Sequence, residues 1–350
     1  MSSYHREPAR AFRGLTSLFV LVALMAAVFP GLAAAQADHL LISEIVVKTR
    51  SPVSTFGSPF IEIVNPTGGA IDMSDVYLTD GTTAPTAFYY NLPLMSPATD
   101  NPGGGNGGDF HARFPAGFSL AAGDTLVISL NGSTEYAAAY GRDPDFELFE
   151  DGLTPDAVPE LVEAFPGGIN AGLGGGGNVP VLSDLAESLV LYTWDGSSDL
   201  VQDIDYLMWG ANNSVRINKS GVTIGAGSYL PDTVEGSQEP AGAAGPSFGA
   251  AFVRAGGTEG TEVTVGGNGV TGHDETSENM ATTWLGVVGH DPGTGVGAPA
   301  ASAPIVTLAE TSPTAPREND MVTLRVTLAT YGTVTGVTFS YTVDGGAVQT

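Results

Sequence analysis

The sequence predicts an all-β fold with one or two short helices. Three observations point there. Apolar and polar residues alternate, or apolar residues run together, through much of the chain beyond residue 37. This is the pattern of an extended strand, whose side chains leave on two faces. The 48 glycines and 23 prolines supply turns and interrupt helices. Cysteine is absent, so apolar burial, not disulfides or thiolate metal sites, must hold the fold together.

Residues 1–37 read as an export signal. Arg6, Arg10 and Arg13 form a basic leader, and residues 18–29 are an unbroken apolar run. Pro30-Gly31 then ends any helix before a tail of small residues, which places cleavage after Ala35 or Ala37. The run is too short to cross a bilayer comfortably. No stable membrane span is expected after cleavage, and the mature chain is expected to be secreted or held at the cell surface.

The first strand is "HLLISEIVVK" at 39–48. In "FIEIVNPTGGAIDMSDVYLTDG", residues 60–64 and 76–79 read as the strands of a hairpin, with turn chemistry at Asn65-Pro66-Thr67-Gly68-Gly69. Pro fixes φ there and Gly admits positive φ. Ala122-Gly123-Asp124 turns into a strand at 125–130. Two short helices are expected: one from Ser133 through Tyr136 and Tyr140, and one at 155–165, where Val158, Leu161, Val162 and Phe165 share helical spacing. "ESLVLYTWDGSSDLVQDIDYLMWG" reads as a hairpin with arms 189–194 and 200–206 about Asp195-Gly196-Ser197-Ser198. A strand at 247–255 follows, with weaker ones at 215–217 and 261–265.

Residues 289–303, "GHDPGTGVGAPAASA", have linker composition. Beyond them, runs at 305–308, 321–328 and 334–343 resemble the opening of an immunoglobulin-like β-sandwich. Such a fold needs about 100 residues. Only 48 remain from Ala303 onwards, so residues 304–350 are expected to be part of a second domain.

Taken in order, "HLLISEIV", "FIEIVNPTGGAIDMSDVYLTDG", "FPAGFSLAAGDTLVIS", "LSDLAESLVLYTWDGSSDLVQDIDY" and "SFGAAFVRA" with "GHDETSENMATTW" resemble the lamin-tail domain of exported bacterial proteins. The resemblance implies an immunoglobulin-like β-sandwich over residues 38–288, serving as a non-enzymatic interaction or attachment module for a protein or cell-surface partner. Long insertions near 91–112, 141–180 and 211–245 depart from the minimal sandwich. The alternative is the N-terminal accessory region of a larger secreted hydrolase, of nuclease or phosphatase type, with catalysis encoded beyond residue 350.

Charge narrows the partners. Removing Arg6, Glu7, Arg10 and Arg13 reduces 12 basic and 38 acidic residues to 9 and 37, a formal charge of −28. Nucleic acid is excluded, because phosphate neutralisation needs clustered Lys and Arg. Calcium is the metal that the acidity best suits, since it takes carboxylate and carbonyl oxygens. Its candidate ligands are Asp195, Asp199, Asp203 and Asp205, grouped near one hairpin. A second acidic loop holds Asp143, Asp145, Glu147, Glu150 and Asp151. Neither has EF-hand spacing, and hydrated loop acids are the competing reading.

Other chemistry has weaker signals. Glu62 should lie opposite Ile61 and Ile63 on its strand, with a hydrated carboxylate near Glu44; a paired acid and base is the sharper reading. "GPSFG" at 245–249 matches the nucleophile pattern around Ser247, but no strand precedes it and no helix follows. His39, His111, His273 and His290 lack the spacing of a preformed zinc motif, although His273-Asp274-Glu275 can lend ligands to a metal. Trp194, Trp209 and Trp284 suit core packing better than a carbohydrate platform.

Overall fold

The computed structural model describes residues 37–48, 51–81, 88–94, 108–169, 171–172, 176–177, 182–260 and 262–296, together with the strands Ile305–Ser312 and Thr323–Ala329. The leader at 1–36, the later part of the expected linker and the run at 334–343 lie outside them.

Two main sheets build an all-β sandwich. The strands are β1 (Leu41–Val46), β2 (Phe60–Val64), β3 (Val76–Thr79), β4 (His111–Arg113), β5 (Thr125–Ser129), β6 (Phe146–Glu147), β7 (Val162–Glu163), β8 (Glu187–Thr193), β9 (Gln202–Trp209), β10 (Ala250–Arg254) and β11 (Trp284–Val288). One sheet has the order β11-β10-β1-β2-β5-β6 and the other β9-β8-β3-β4-β7. Neighbours are antiparallel except β5 and β6.

Period-two patterning explains the layers. Ile61, Ile63, Leu126 and Ile128 turn inward to meet Leu78, Leu189, Leu191 and Leu207 of the facing sheet in one continuous core. The alternate residues Phe60, Val127 and Val253 face outward and are covered by Tyr136 and Tyr140 of the helix Ser133–Tyr140. Further along that face, Leu41 and Val64 pack against Val296. The six-stranded sheet is therefore buried on both faces, which explains why β1 and β2 carry acids that never reach water.

Several expectations change. The segment at 60–81 is not a hairpin: β2 pairs with β1 and β5, whereas β3 belongs to the other sheet. Asn65 organises this crossing. Its amide nitrogen donates to the carbonyls of Gly69 and Leu120 at 2.8 and 3.0 Å, while its oxygen accepts from the Thr67 amide at 3.0 Å. The helix expected at 155–165 is replaced by extended chain, with Ala112 pairing Glu163 across β4 and β7. Pro159 has no amide proton to give an α-helix, and an open sheet edge offers the segment its hydrogen bonds instead.

Residues 213–215 form a 3₁₀ turn rather than a strand, and Val263 makes a single bridge to Asp274. Residues 289–296, linker-like in composition, run along the outer face: the Gly289 amide donates to Gly249 O and the Asp291 amide to Glu44. The hairpin at 187–210 forms as expected. Ile305–Ser312 pairs antiparallel with Thr323–Ala329. Among the described residues, no helix is long and apolar enough to cross a membrane.

Candidate metal centre

The strongest convergence of ligand-type side chains lies where the chain entering β1 meets β9 and the loops between β10 and β11. His39 precedes β1, and Asp205 sits on β9. The long connection after β10 supplies Glu259, Glu262, His273, Glu275 and Glu278. Two local devices shape that connection. Asp274 accepts from Thr276 N and Oγ1 at 3.2 and 2.6 Å, capping the turn Glu275–Ser277. Gly269 lies against the Glu275 carboxylate, where an added Cβ would come within 2.7 Å of Oε1. The same Cβ would lie 2.9 Å from the His273 carbonyl oxygen, so a side chain at 269 would push on both neighbours.

His39, His273 and Glu275 each place a ligand atom within 4.8 Å of the others, as do Glu259, Glu262 and His273, and again Asp205, Glu259 and Glu275. His39 Nε2 is 3.2 Å from Glu259 Oε1, and its Nδ1 is 3.0 Å from Asp38. His273 Nδ1 is 2.9 Å from Glu262 Oε2 and 3.7 Å from Glu259 Oε2. One cation is built in beside them. Arg254 is fully buried, donates to Asp205 at 2.6 Å, to Glu278 at 2.7 Å and to the Ile42 carbonyl at 3.0 Å, and stacks 4.9 Å from the Trp284 ring.

The carboxylates outnumber that cation. Burial, reinforced by Glu259, pushes Glu262 up to about 10, and burial together with Glu262 holds Glu275 well above the carboxylate range. Glu262 Oε1 and Glu275 Oε1 are buried without a hydrogen-bond partner. Buried polar atoms are seldom left in that state.

The four aspartates named as calcium candidates take separate environments. Asp195 is exposed and closes its hairpin turn, accepting from the Ser197 and Ser198 amides at 2.8 and 2.7 Å. Asp199 accepts from the Ala226 amide at 2.7 Å. Asp203 is buried in a different network: Lys219 Nζ lies 2.5 Å from it and 3.2 Å from Asp232, while the Tyr89 hydroxyl donates to it at 2.6 Å. Of the four, only Asp205 reaches the histidine–carboxylate convergence. A bulge in the β8–β9 pairing, where Leu191 faces Asp205 and Tyr192 faces Asp203, sends these two aspartates to different surroundings, and turn chemistry holds Asp195 apart.

Glu62 does lie opposite Ile61 and Ile63, but its carboxylate is not hydrated. Glu44 and Glu62 are register partners on β1 and β2, at 1% and 0% exposure. The 291–295 strap covers them: amides of Gly293 and Gly295 donate to Glu62, and the Ser43 hydroxyl donates to it at 2.5 Å. Burial, with the charge of Glu62 beside it, raises Glu44 to about 8. The folded chain therefore holds a proton on Glu44 that the unfolded chain releases near its ordinary value of 4.5. Stability from this group is complete below that value and is lost as pH rises towards 8. Glu44→Gln is expected to flatten this part of the profile and to gain on the order of 2 kcal/mol over wild type at pH 8.5, with no gain at pH 4.5. Urea denaturation at the two pH values measures it; an equal effect at both would remove Glu44 from the profile.

Elsewhere, Glu147, Glu150 and Glu160 form another acidic triad, with Glu147 raised by burial to about 7. Ser247 is exposed in a turn, its carbonyl accepting from the Ala250 amide at 3.0 Å. His111 is buried against the Tyr192 hydroxyl, and Trp209 and Trp284 are core residues. The signal at His273-Asp274-Glu275 pointed to two of the converging groups. His39, Glu259 and Glu262 carried no local motif and were found only through the tertiary structure.

No family model matches the chain, and the search of curated proteins finds no match. Among solved structures, a DUF4876 family protein from Bacteroides thetaiotaomicron is similar at 15% identity, with a TM-score of 0.39 over 73% of this chain and 73% of that one. At that distance the likeness carries neither a family assignment nor a function.

Proposed function

We propose that the chain is an exported, non-enzymatic β-sandwich module that binds a protein or cell-surface partner, the role implied by its resemblance to lamin-tail domains. The observation that supports this reading is where the chemically capable groups lie. Glu44 and Glu62 are sealed beneath the strap, and Asp205, Glu259 and Glu275 are buried under the loops that follow β10. Ser247 stands exposed on a turn instead of at a strand-to-helix elbow. Loop acids such as Asp143, Asp145, Asp195 and Asp199 do meet solvent, a surface suited to a basic or cation-bridged partner.

Assays of the full chain against ester, phosphomonoester and phosphodiester substrates, beside Ser247→Ala and Glu62→Gln, test this. Equal, background rates for all three proteins are expected, together with saturable, salt-sensitive adsorption to washed cells of the source organism. Turnover by the wild type that either substitution abolishes would replace this reading with an enzymatic one.

A further inference from the structure

We propose that His39, His273, Glu259 and Glu275 bind a divalent first-row transition ion, of the zinc or manganese kind, as an internal staple between the start of β1 and the loops that follow β10. The inference goes beyond the binding role above and does not depend on any partner.

The donor chemistry selects the ion class. Two imidazoles with carboxylates suit zinc, manganese or iron(II), whereas calcium and magnesium take oxygen ligands almost exclusively. The spacing brings the four side chains close to one another through three overlapping triads. Metal bonds of about 2.0–2.1 Å at tetrahedral angles set ligand atoms roughly 3.3 Å apart. The separation of His39 Nε2 from Glu259 is 3.2 Å, and that of His273 Nδ1 from Glu259 is 3.7 Å. Glu275 falls within 4.8 Å of both histidines in the same cluster.

Glu275 supplies the independent observation. It is 3% exposed and held in place by the Asp274-capped turn, yet its Oε1 has no hydrogen-bond partner. Arg254 does not serve it: its hydrogen bonds run to Asp205, Glu278 and the Ile42 carbonyl, and none reaches Glu275. The surrounding groups also behave as supports for ligands. Asp38 engages His39 Nδ1 and leaves Nε2 for the centre, the arrangement by which a carboxylate orients a metal-bound imidazole. Asp205 accepts from the amides of Ile42 and Tyr206 at 2.5 and 2.8 Å, so it acts as a fixed negative neighbour. The competing arrangement is protonic: the same cluster held together by protons shared among carboxylates and imidazoles.

An isosteric substitution separates the two. The full chain is purified without a histidine tag, stripped with EDTA, and titrated with Zn²⁺, Mn²⁺ and Ca²⁺ while metal content and Tm are measured. Wild type is expected to take up one equivalent of Zn²⁺ or Mn²⁺ and to gain about 5 °C or more in Tm at saturation. Co²⁺ should give a visible absorption band that His273→Gln removes. Glu275→Gln keeps the shape of the neutral, protonated acid but cannot become the carboxylate that a metal ion takes as ligand. It is expected to melt at or above wild type in EDTA, which shows that it folds, yet to gain no Tm with Zn²⁺ or Mn²⁺. The proposal is overturned if wild type binds neither ion, if Ca²⁺ alone raises its Tm, or if Glu275→Gln responds to the transition ions as wild type does.

Discussion

Replacing Arg254 by methionine is expected to destabilise the chain by about 3–5 kcal/mol, the cost of breaking a buried ion pair from one side. The guanidinium sits in the interior and joins β10 to three other segments: Asp205 on β9, Glu278 ahead of β11, and the β1 carbonyl of Ile42. Methionine fills much of the volume and retains contact with Trp284, so the loss is electrostatic. Two carboxylates and a carbonyl remain without their donor in a site closed to water. Burial already lifts Glu278 to about 7 with the arginine present. Urea denaturation at fixed cation concentration checks the prediction. A midpoint within 1 kcal/mol of wild type would mean that Asp205 and Glu278 find other donors. Adding Asp205→Asn and Glu278→Gln should recover part of the loss, because neutral amides do not require a counterion.

Lys219→Met is expected to cost a similar amount, about 3–5 kcal/mol, through a separate network. Lys219 is one of two lysines in the sequence and is fully buried. Burial alone would lower the pKa of its ammonium, but Asp203 and Asp232 outweigh that and raise it. The Nζ also lies 3.2 Å from the Tyr89 hydroxyl and above the rings of Tyr89 and Tyr229. Removing the cation leaves Asp203 and Asp232 facing one another inside the fold. Burial already raises Asp203, and without the ammonium it takes up a proton more readily in the folded variant, so the cost of Lys219→Met should be smaller at pH 5 than at pH 8. Stability curves for wild type and variant at both values test this. A cost independent of pH would assign the effect to lost packing. The triple variant with Asp203→Asn and Asp232→Asn should regain stability if the pairing argument holds.

These interior charges mark the boundary of what is legible in the chain. Period-two patterning at 41–46, 60–64, 125–129 and 250–254 revealed the strands, because alternation is a property of neighbouring residues. It also placed Glu62 opposite Ile61 and Ile63. Whether that outward face meets water is a different matter, decided by the helix Ser133–Tyr140 and by the 291–295 strap, distant in sequence from β2. The Gly- and Pro-rich composition of that strap suggested a linker, yet its unencumbered amides suit it to donate to buried carboxylates. Asp203 and Asp205, two residues apart, shared one calcium expectation and entered two networks.

The amino-acid order alone determined the all-β class, most of the strands, the Asp195 turn and the acidic balance. Each rests on local rules of backbone geometry, side-chain alternation or summed charge. The tertiary structure alone decided that β2 and β3 belong to different sheets, and that His39 meets Glu259 across 220 residues of chain. It also decided that Arg254 and Lys219 are interior cations. Those outcomes depend on which surfaces exclude water when the sheets and loops close, and burial is a property of the assembled layers that no short window of sequence contains.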